Sequence, residues 1–177
     1  MSIEQVYVVN EKDEILYKLP RSEVNQKNLI TRATIVLVFN SKKEILITKR
    51  SKNKRSNPNL WEIGQGGVVT AGETYEQNSI RELFEETGLK RNESELVYLF
   101  DYKFSSNTMR YNSKVFSCKM NITENIFLQK SEIEKGEFIS YEKLKEKVGL
   151  TPELFTPDSL EFIKIYTSFI SSSYQAV

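Results

Sequence analysis

The sequence predicts a mixed α/β fold, and three observations lead to that prediction. Residues 33–39 form a strongly apolar run, which is typical of a buried strand. Residues 74–87 carry apolar side chains at the spacing of a helix. Shorter segments of alternating character lie on both sides of that helix and predict further strands. A chain of 177 residues is normally one domain and is long enough for a substantial core.

The segment before the helix predicts two hairpins. Short strands are expected at residues 6–9 and 14–18, on either side of a polar turn. The apolar run at 33–39 is followed by the polar residues 40–43 and then by a strand at 44–49.

The central helix has a predicted core face and a predicted end. Ile80, Leu83, Phe84 and Thr87 fall at positions i, i+3, i+4 and i+7, so we expect one core-facing stripe. Gly88 supplies the left-handed residue that commonly ends a helix.

Three strands and two helices are expected after the central helix. The final helix has a clear start, because Thr156 is a suitable cap and Pro157 suits the first helical position. The predicted strands cover residues 95–104, 113–120 and 137–140, and the predicted helices cover residues 141–148 and 157–170.

Three acids on the central helix predict a cation site. Glu82, Glu85 and Glu86 lie opposite the apolar stripe, with Cβ atoms expected to be roughly 5–6 Å apart. Like charges at this spacing repel, and the helix dipole disfavours anions in the last turn. A bound cation would compensate, and hard oxygen ligands suit Mg²⁺ or Mn²⁺ with substrate phosphates completing the shell. The alternative is a solvated helix face, which is what most charge runs on helices form.

A glycine cluster precedes the helix. Gly64, Gly66, Gly67 and Gly72 are four of the seven glycines in the chain. Glycine lets the backbone approach a metal ion or a phosphate closely. A plain turn between strand and helix is the alternative interpretation.

Nine positions from Gly67 to Leu89 resemble the Nudix box, G-x5-E-x7-R-E-U-x-E-E-x-G-U, where U is aliphatic. The matching residues are Gly67, Glu73, Arg81, Glu82, Leu83, Glu85, Glu86, Gly88 and Leu89. The resemblance implies a Nudix α/β/α sandwich with a mixed sheet. It also implies metal-dependent cleavage of a diphosphate, with Gly67, Glu82, Glu85 and Glu86 at the metal.

The same resemblance implies a supporting part for Glu73 and Arg81. In the family the box arginine pairs with the early glutamate and fixes the loop against the helix. Arg81 could instead hold a phosphate.

Motifs outside the box resemble the isopentenyl diphosphate isomerase-like branch of the family. Within one domain over residues 1–177, an N-terminal hairpin extension (1–30) precedes the core (31–177). The other similar segments are 31–33, 45–50, 58–61 and 155–160.

Isomerases of this branch carry a catalytic cysteine shortly after the residue matching Trp61, and histidine metal ligands. Gly66 occupies the cysteine position, and the chain has no histidine. Its single cysteine, Cys118, lies in a predicted strand and is expected to be a small buried filler. Hydrolysis is therefore the favoured activity, with an isomerase or a non-catalytic nucleotide-binding regulatory module as alternatives. Regulatory modules usually lose box carboxylates, all of which are present here.

The general base is left open among three glutamates. Glu82 is one candidate, and Glu132 and Glu134 before the late strand are others. In relatives a late acid often completes the metal site, and Glu132 matches that position best. A solvated loop is the alternative for Glu132 and Glu134.

The basic run at residues 49–55 is expected to hold the substrate diphosphate. The resemblance points to Arg50 and Lys54, and a guanidinium can bind phosphate through two hydrogen bonds. A solvated loop is again the alternative. The run is short and has no interleaved aromatic residues, which argues against a nucleic-acid surface.

Composition excludes several other classes. The formal net charge of +1 gives no general basic field for nucleic acid. Without histidine, zinc sites built on imidazole and Ser-His or Cys-His nucleophiles are excluded. No segment has the length of an apolar membrane span, and the N-terminus lacks the layout of a signal peptide. We expect a cytoplasmic protein, monomeric or homodimeric, that acts on a small-molecule diphosphate.

Overall fold

The computed structural model describes residues 3–174 and contains one mixed sheet and four helices. The strands are β1 (Gln5–Val9), β2 (Ile15–Pro20), β3 (Ile30–Phe39), β4 (Ile45–Arg50), β5 (Trp61–Ile63), β6 (Val97–Ser105), β7 (Arg110–Lys119) and β8 (Ile133–Ile139). The helices are α1 (Arg21–Lys27), α2 (Tyr75–Thr87), α3 (Tyr141–Leu150) and α4 (Pro157–Tyr174). The predicted mixed α/β class is confirmed.

Strand β3 organises the sheet. It pairs in parallel with β7 along its whole length, from Ile30 opposite Arg110 to Phe39 opposite Lys119. It also pairs with β1 near its start and with β4 at its end, which gives the strand order β2-β1-β3-β4-β5. All pairs in this order are antiparallel. Strand β6 adds antiparallel to β7, and β8 adds antiparallel to β4. Both predicted hairpins, β1-β2 and β3-β4, are therefore present.

The apolar run in β3 is buried on both faces. Leu37 belongs to a core that includes Phe162 of helix α4, whereas its neighbours Val36 and Val38 belong to a second core with Leu83 of helix α2. All three strand residues are fully buried. A strand covered by helices on both sides has no polar face, which explains why its sequence is continuously apolar.

Two short elements and several strand boundaries differ from the sequence predictions, and β3 and β7 each begin three residues earlier than predicted. Helix α1 has seven residues and buries only Val24, so it has no apolar period to detect. Strand β5 has three residues, too few to show alternation. Strand β8 begins at Ile133, four residues before the predicted start at 137. Within residues 3–174, no helix is long and apolar enough to cross a membrane.

The N-terminal hairpin is fixed against the start of helix α2. Asp13 lies in a left-handed turn at φ 65°. Its Oδ1 accepts hydrogen bonds from Arg32 Nε at 2.9 Å and from the Tyr75 hydroxyl at 3.0 Å. Because Tyr75 is the first residue of α2, these bonds set the hairpin in a defined position beside the acidic helix.

Candidate active site

Helix α2 starts and ends at capping residues, of which the sequence predicted the one at Gly88. The Gln77 amide donates to Thr74 Oγ1 at 3.1 Å, and the Thr74 amide donates to Gln77 Oε1 at 3.0 Å. This reciprocal capping box satisfies two amides that the helix itself leaves unpaired. At the other end Gly88 has φ 73°, and its amide donates to the Phe84 carbonyl at 2.8 Å.

The buried face of α2 is the predicted one only in part. Leu83 and Thr87 are buried as expected, but the Phe84 side chain is 46% exposed. The polar residue Asn78 is fully buried instead. Its Oδ1 accepts a 2.6 Å hydrogen bond from the Thr34 hydroxyl of β3. Since a satisfied amide can be buried at little cost, hydrogen bonding rather than apolar character decides this face.

Two of the three acids are turned toward the glycine loop. The Gly66 amide donates to Glu86 Oε2 at 3.0 Å. A Cβ atom on Gly67 would lie 2.9 Å from the Glu82 carboxyl carbon, so only glycine leaves that carboxylate room. Gly66 itself has φ 146° and packs against the Thr34 carbonyl, which a Cβ atom would approach to 2.1 Å. The glycine loop therefore lies directly against both carboxylates.

These carboxylates stand in an unfavourable electrostatic environment. Burial raises the pKa of Glu86 well above its usual range, and the carboxylates of Glu62 and Glu82 raise it further. Burial also raises the pKa of Glu82, although Arg81 opposes that shift. Acids collected in this way favour the binding of a cation.

Arg81 connects the loop to the helix, as the box resemblance implies. Its Nε and Nη2 donate to the two carboxylate oxygens of Glu73 at 2.7 and 3.0 Å. Its Nη1 also donates to Glu82 Oε1 at 3.0 Å and to Glu85 Oε2 at 3.1 Å. Arg81 therefore contacts two of the predicted metal ligands, and Glu85 remains 49% exposed beside it.

The chemistry of the donor set fits a hard divalent cation. No group of three acidic side chains within residues 3–174 could hold a metal ion by itself. Mg²⁺, however, is usually held by one or two carboxylates, with waters and substrate phosphates as the other ligands. Glu82 and Glu86 supply such a pair beside a loop whose backbone is open because Gly66 and Gly67 lack side chains.

Arg50 and Lys54, the two residues of the basic run predicted to bind phosphate, have different partners in the structure. Arg50 is only 13% exposed, and its Nη1 donates to Glu62 Oε1 at 2.6 Å. Its Nε donates to the Ser56 carbonyl at 3.1 Å. Lys54 instead forms an ion pair with Glu132. Burial and the neighbouring Arg50 lower the pKa of Lys54.

The structure separates the two late acids. Glu132 reaches Lys54, whose charge also acts on the Glu86 carboxylate, so Glu132 lies at the edge of the same cluster. Glu134 is exposed on β8. Of the two, Glu132 is the one that the structure brings to the acids of α2.

Two residues near the site were not found from the sequence. Glu62 of β5 is close enough to Glu86 to raise its pKa. The charge of Arg21, the first residue of α1, reaches both Glu82 and Lys54: it opposes the rise that burial causes in the pKa of Glu82, and it adds to the effect of burial and Arg50 in lowering the pKa of Lys54. Neither has a local sequence signal, because both elements are too short to show a period and both reach the site only through folding.

Cys118 lies away from the glycine loop. It is buried in β7 within the core that also contains Val36 and Leu83, as its expected filler role requires.

The match to a family model and the similarity to curated relatives indicate a hydrolase that acts on diphosphate bonds. The chain belongs to the Nudix family, because residues 29–163 match the family model for the NUDIX domain. It is 34% identical over 158 residues to an uncharacterised Nudix hydrolase of Pseudomonas aeruginosa, covering 89% of this chain and 90% of the relative.

Solved structures have the same fold. The crystal structure of DR0079 from Deinococcus radiodurans matches with a TM-score of 0.74 and 24% identity, over 91% of this chain and 98% of that one. The NUDIX domain of Shewanella oneidensis NrtR, solved with ADP ribose, matches with a TM-score of 0.58 and 14% identity, over 78% of this chain and 87% of that one. Members of the family generally use a divalent metal.

Proposed function

We propose that the protein is a Mg²⁺-dependent hydrolase that cleaves a diphosphate linkage in a nucleoside diphosphate derivative by attack of water at phosphorus. The observation that carries this proposal is the contact of Glu82 and Glu86 with the loop at Gly66 and Gly67. Hydrogen bonding and close packing fix both carboxylates before any ligand binds. Such preorganisation is what an electrostatic site for phosphoryl chemistry needs.

Each residue of the cluster has a distinct role in this proposal. Glu82 and Glu86 hold the metal, and Glu85 joins them when Arg81 releases it. The bound metal would neutralise diphosphate charge and lower the pKa of an attacking water. Arg81 and Glu73 hold the glycine loop in a fixed position against the helix.

Lys54 and Glu132 complete the proposed site from the opposite side. Lys54 supplies a positive charge to a phosphate, and Arg21 adds a second one at the rim. Glu132 accepts the proton of the attacking water once Lys54 has turned from it to the substrate. Glu82 is the other candidate base, but its Oε1 already accepts a hydrogen bond from Arg81.

Arg50 supports the site without being the main contact to the substrate. Its guanidinium is committed to Glu62 and Ser56. We therefore assign it to the support of Glu62 and of the loop that carries Lys54, and only the outer edge of its guanidinium is left for phosphate.

The test is release of phosphate or nucleotide from a panel of diphosphates in the presence of Mg²⁺. The panel contains nucleoside di- and triphosphates, dinucleoside polyphosphates, ADP-ribose, nucleotide sugars and isopentenyl diphosphate. We expect at least one compound to be cleaved, and Glu86→Gln to lower kcat by about 100-fold or more because a fixed charge is lost at the reacting group. Full activity of Glu86→Gln, or release that is independent of metal, would contradict the proposal.

Isopentenyl diphosphate is in the panel because motifs outside the box resemble the isopentenyl diphosphate isomerase-like branch. Hydrolysis of isopentenyl diphosphate would show that the enzyme acts on the substrate of that branch. Its conversion to dimethylallyl diphosphate without phosphate release would replace hydrolysis by isomerisation. Binding of a panel compound without turnover would favour a regulatory module.

A further inference from the structure

A strap crosses the end of helix α2 and carries Glu132 to the site. The strap, residues 120–132, joins β7 to β8 and has no helix or strand of its own. The Phe127 amide donates to the Thr87 carbonyl at 2.9 Å, and the Gln129 amide donates to the Glu86 carbonyl at 3.1 Å. The strap therefore pairs with the last turn of the helix that presents the metal-binding carboxylates.

The end of the strap is held in the same way by backbone bonds. The Glu132 amide donates to the Gln129 carbonyl at 2.8 Å, and the Ser51 amide donates to the Glu132 carbonyl at 2.8 Å. The Glu132 side chain then pairs with Lys54. The position of its carboxylate thus depends on the path of the strap.

Apolar burial holds only part of that path, through Met120 and Ile126, which pack against the core that contains Val36 and Leu83. Ile122 is 89% exposed and Phe127 is 73% exposed, although both are large apolar residues. A segment without regular structure and with little buried apolar area opens easily unless polar contacts hold it. Besides these backbone bonds and the Lys54–Glu132 pair at its end, the strap has a group of side-chain hydrogen bonds near its start.

Arg91 and Glu124 form that group. Arg91 follows α2 by four residues, and its side chain is only 2% exposed. Its Nη1 and Nη2 donate to the two oxygens of Glu124 at 2.8 and 2.7 Å. Nη2 also donates to the Lys119 carbonyl at 2.8 Å, and Glu124 Oε2 accepts from the Asn121 amide at 2.7 Å. A bidentate pair of this kind fixes direction as well as distance.

We propose that Arg91 and Glu124 are positioning residues of the hydrolase: they fix the strap so that Glu132 lies at the catalytic cluster. The inference rests on the proposed function. Arg91 is attached to the end of α2, and Glu124 is attached to the strap. Their pair therefore couples the helix that holds Glu82 and Glu86 to the loop that holds the base.

Glu124→Ala tests the pair with its matched control, Glu95→Gln. Glu95 also faces Arg91, with its Oε1 3.9 Å from Arg91 Nε, but it does not belong to the strap. Measured on the panel compound that the wild type cleaves fastest, kcat of Glu124→Ala should fall about tenfold or more, because small misplacements of a catalytic group are costly. KM should change less than kcat, and Glu95→Gln should match the wild type.

The same change in a Glu132→Gln background separates positioning from stability. If the pair acts through Glu132, adding Glu124→Ala to Glu132→Gln should lower kcat no further. An equal loss in both backgrounds, or a wild-type kcat for Glu132→Gln, would overturn the inference. So would a lower melting temperature of Glu124→Ala with unchanged kcat.

Hydrogen exchange gives a readout that needs no substrate. Amides of residues 125–132 should exchange faster in Glu124→Ala than in the wild type, while those of α2 stay protected. Unchanged exchange in the strap would contradict the inference. The two proposals fail separately, because an active Glu86→Gln would contradict the hydrolase, whereas an inactive Glu86→Gln beside a fully active Glu124→Ala would contradict only the role of the pair.

Discussion

The carboxylate of Glu82 occupies the space in which Gly67 would carry a side chain. A Cβ atom at Gly67 would lie 2.9 Å from both the carboxyl carbon and Oε1 of Glu82. The conflict involves the flexible end of a side chain, and Gly67 does not require the left-handed region. An added methyl group would therefore displace the carboxylate and leave the backbone in place.

Gly67→Ala should impair catalysis and leave the fold intact. We expect kcat to fall by about 10–100-fold, because the displaced Glu82 no longer meets the metal or the reacting phosphate. The melting temperature should stay within about 2–4 °C of the wild type, the shift expected for about 1 kcal/mol in a chain of this length. Steady-state kinetics and a thermal melt measure both. Wild-type kcat would show that the position of Glu82 is unimportant.

Gly66→Ala is the contrasting change in the same loop. Its Cβ atom would meet the Thr34 carbonyl at 2.1 Å, and its φ of 146° is unfavourable for any other residue. Backbone cannot give way as a side chain can, so this variant should lose stability as well as activity. Equal stability of the two variants would contradict the distinction.

Arg50 and Lys54 should respond differently to alanine. Lys54→Ala should raise KM about tenfold, since it removes a charge that the substrate meets directly, with little change in melting temperature. Arg50→Ala should cost about 1–3 kcal/mol of unfolding free energy, because it leaves the Glu62 carboxylate without its partner. Both KM and urea unfolding are measured for each variant.

Lys52→Ala is the control for that pair of variants. Lys52 is exposed in the same basic run, so both measurements should match the wild type. A large rise in KM for Arg50→Ala without loss of stability would restore its predicted contact with phosphate.

Local signals predicted helix α2 to within one residue at its start and correctly at its end. Gly88 ends the helix as predicted, because a cap depends on its neighbours along the chain, and the structure adds Thr74 as the cap at the start. The core face was wrong for Phe84, because a rule that buries apolar residues does not anticipate a buried Asn78. The hydrogen bond that satisfies Asn78 comes from Thr34, far away in sequence.

The composition of the site could be predicted only in part. The i, i+3 and i+4 spacing brings Glu82, Glu85 and Glu86 near one another, but the structure turns Glu85 toward Arg81. Glu62 and Arg21 come from separate short elements and meet the acids only after the sheet has formed. Their approach is a property of strand pairing, which no local pattern records.

Cys118 should be inert in the folded protein. Burial raises its pKa to about 11, so its reactive thiolate is scarce at pH 8. Iodoacetamide should label the native protein about 100-fold more slowly than a free cysteine, and labelling should become fast in urea. Mass spectrometry follows the reaction, and Cys118→Ala should keep full activity. Rapid labelling that abolishes turnover would indicate that this thiol takes part in catalysis.

Glu73 should make the protein sensitive to acid. The hydrogen bonds from Arg81 lower the pKa of Glu73 below its usual value. A carboxylate with a depressed pKa stabilises the fold fully above its unfolded pKa of about 4.3, and that contribution is lost as the pH falls toward the folded pKa. Glu73→Gln should therefore be least stable relative to the wild type at about pH 6–7, and the difference should shrink below about pH 4.

Urea unfolding of both proteins between about pH 3 and pH 7 measures this difference. Glu153→Gln is the control, since Glu153 is exposed and forms no ion pair with the other described residues. Its curve should run parallel to that of the wild type. A difference between Glu73→Gln and the wild type that is constant across the range would mean that the Glu73 carboxylate is equally well stabilised in the unfolded chain. Arg81 would then hold the loop through the geometry of its hydrogen bonds, without a pH-dependent contribution from the charge of Glu73.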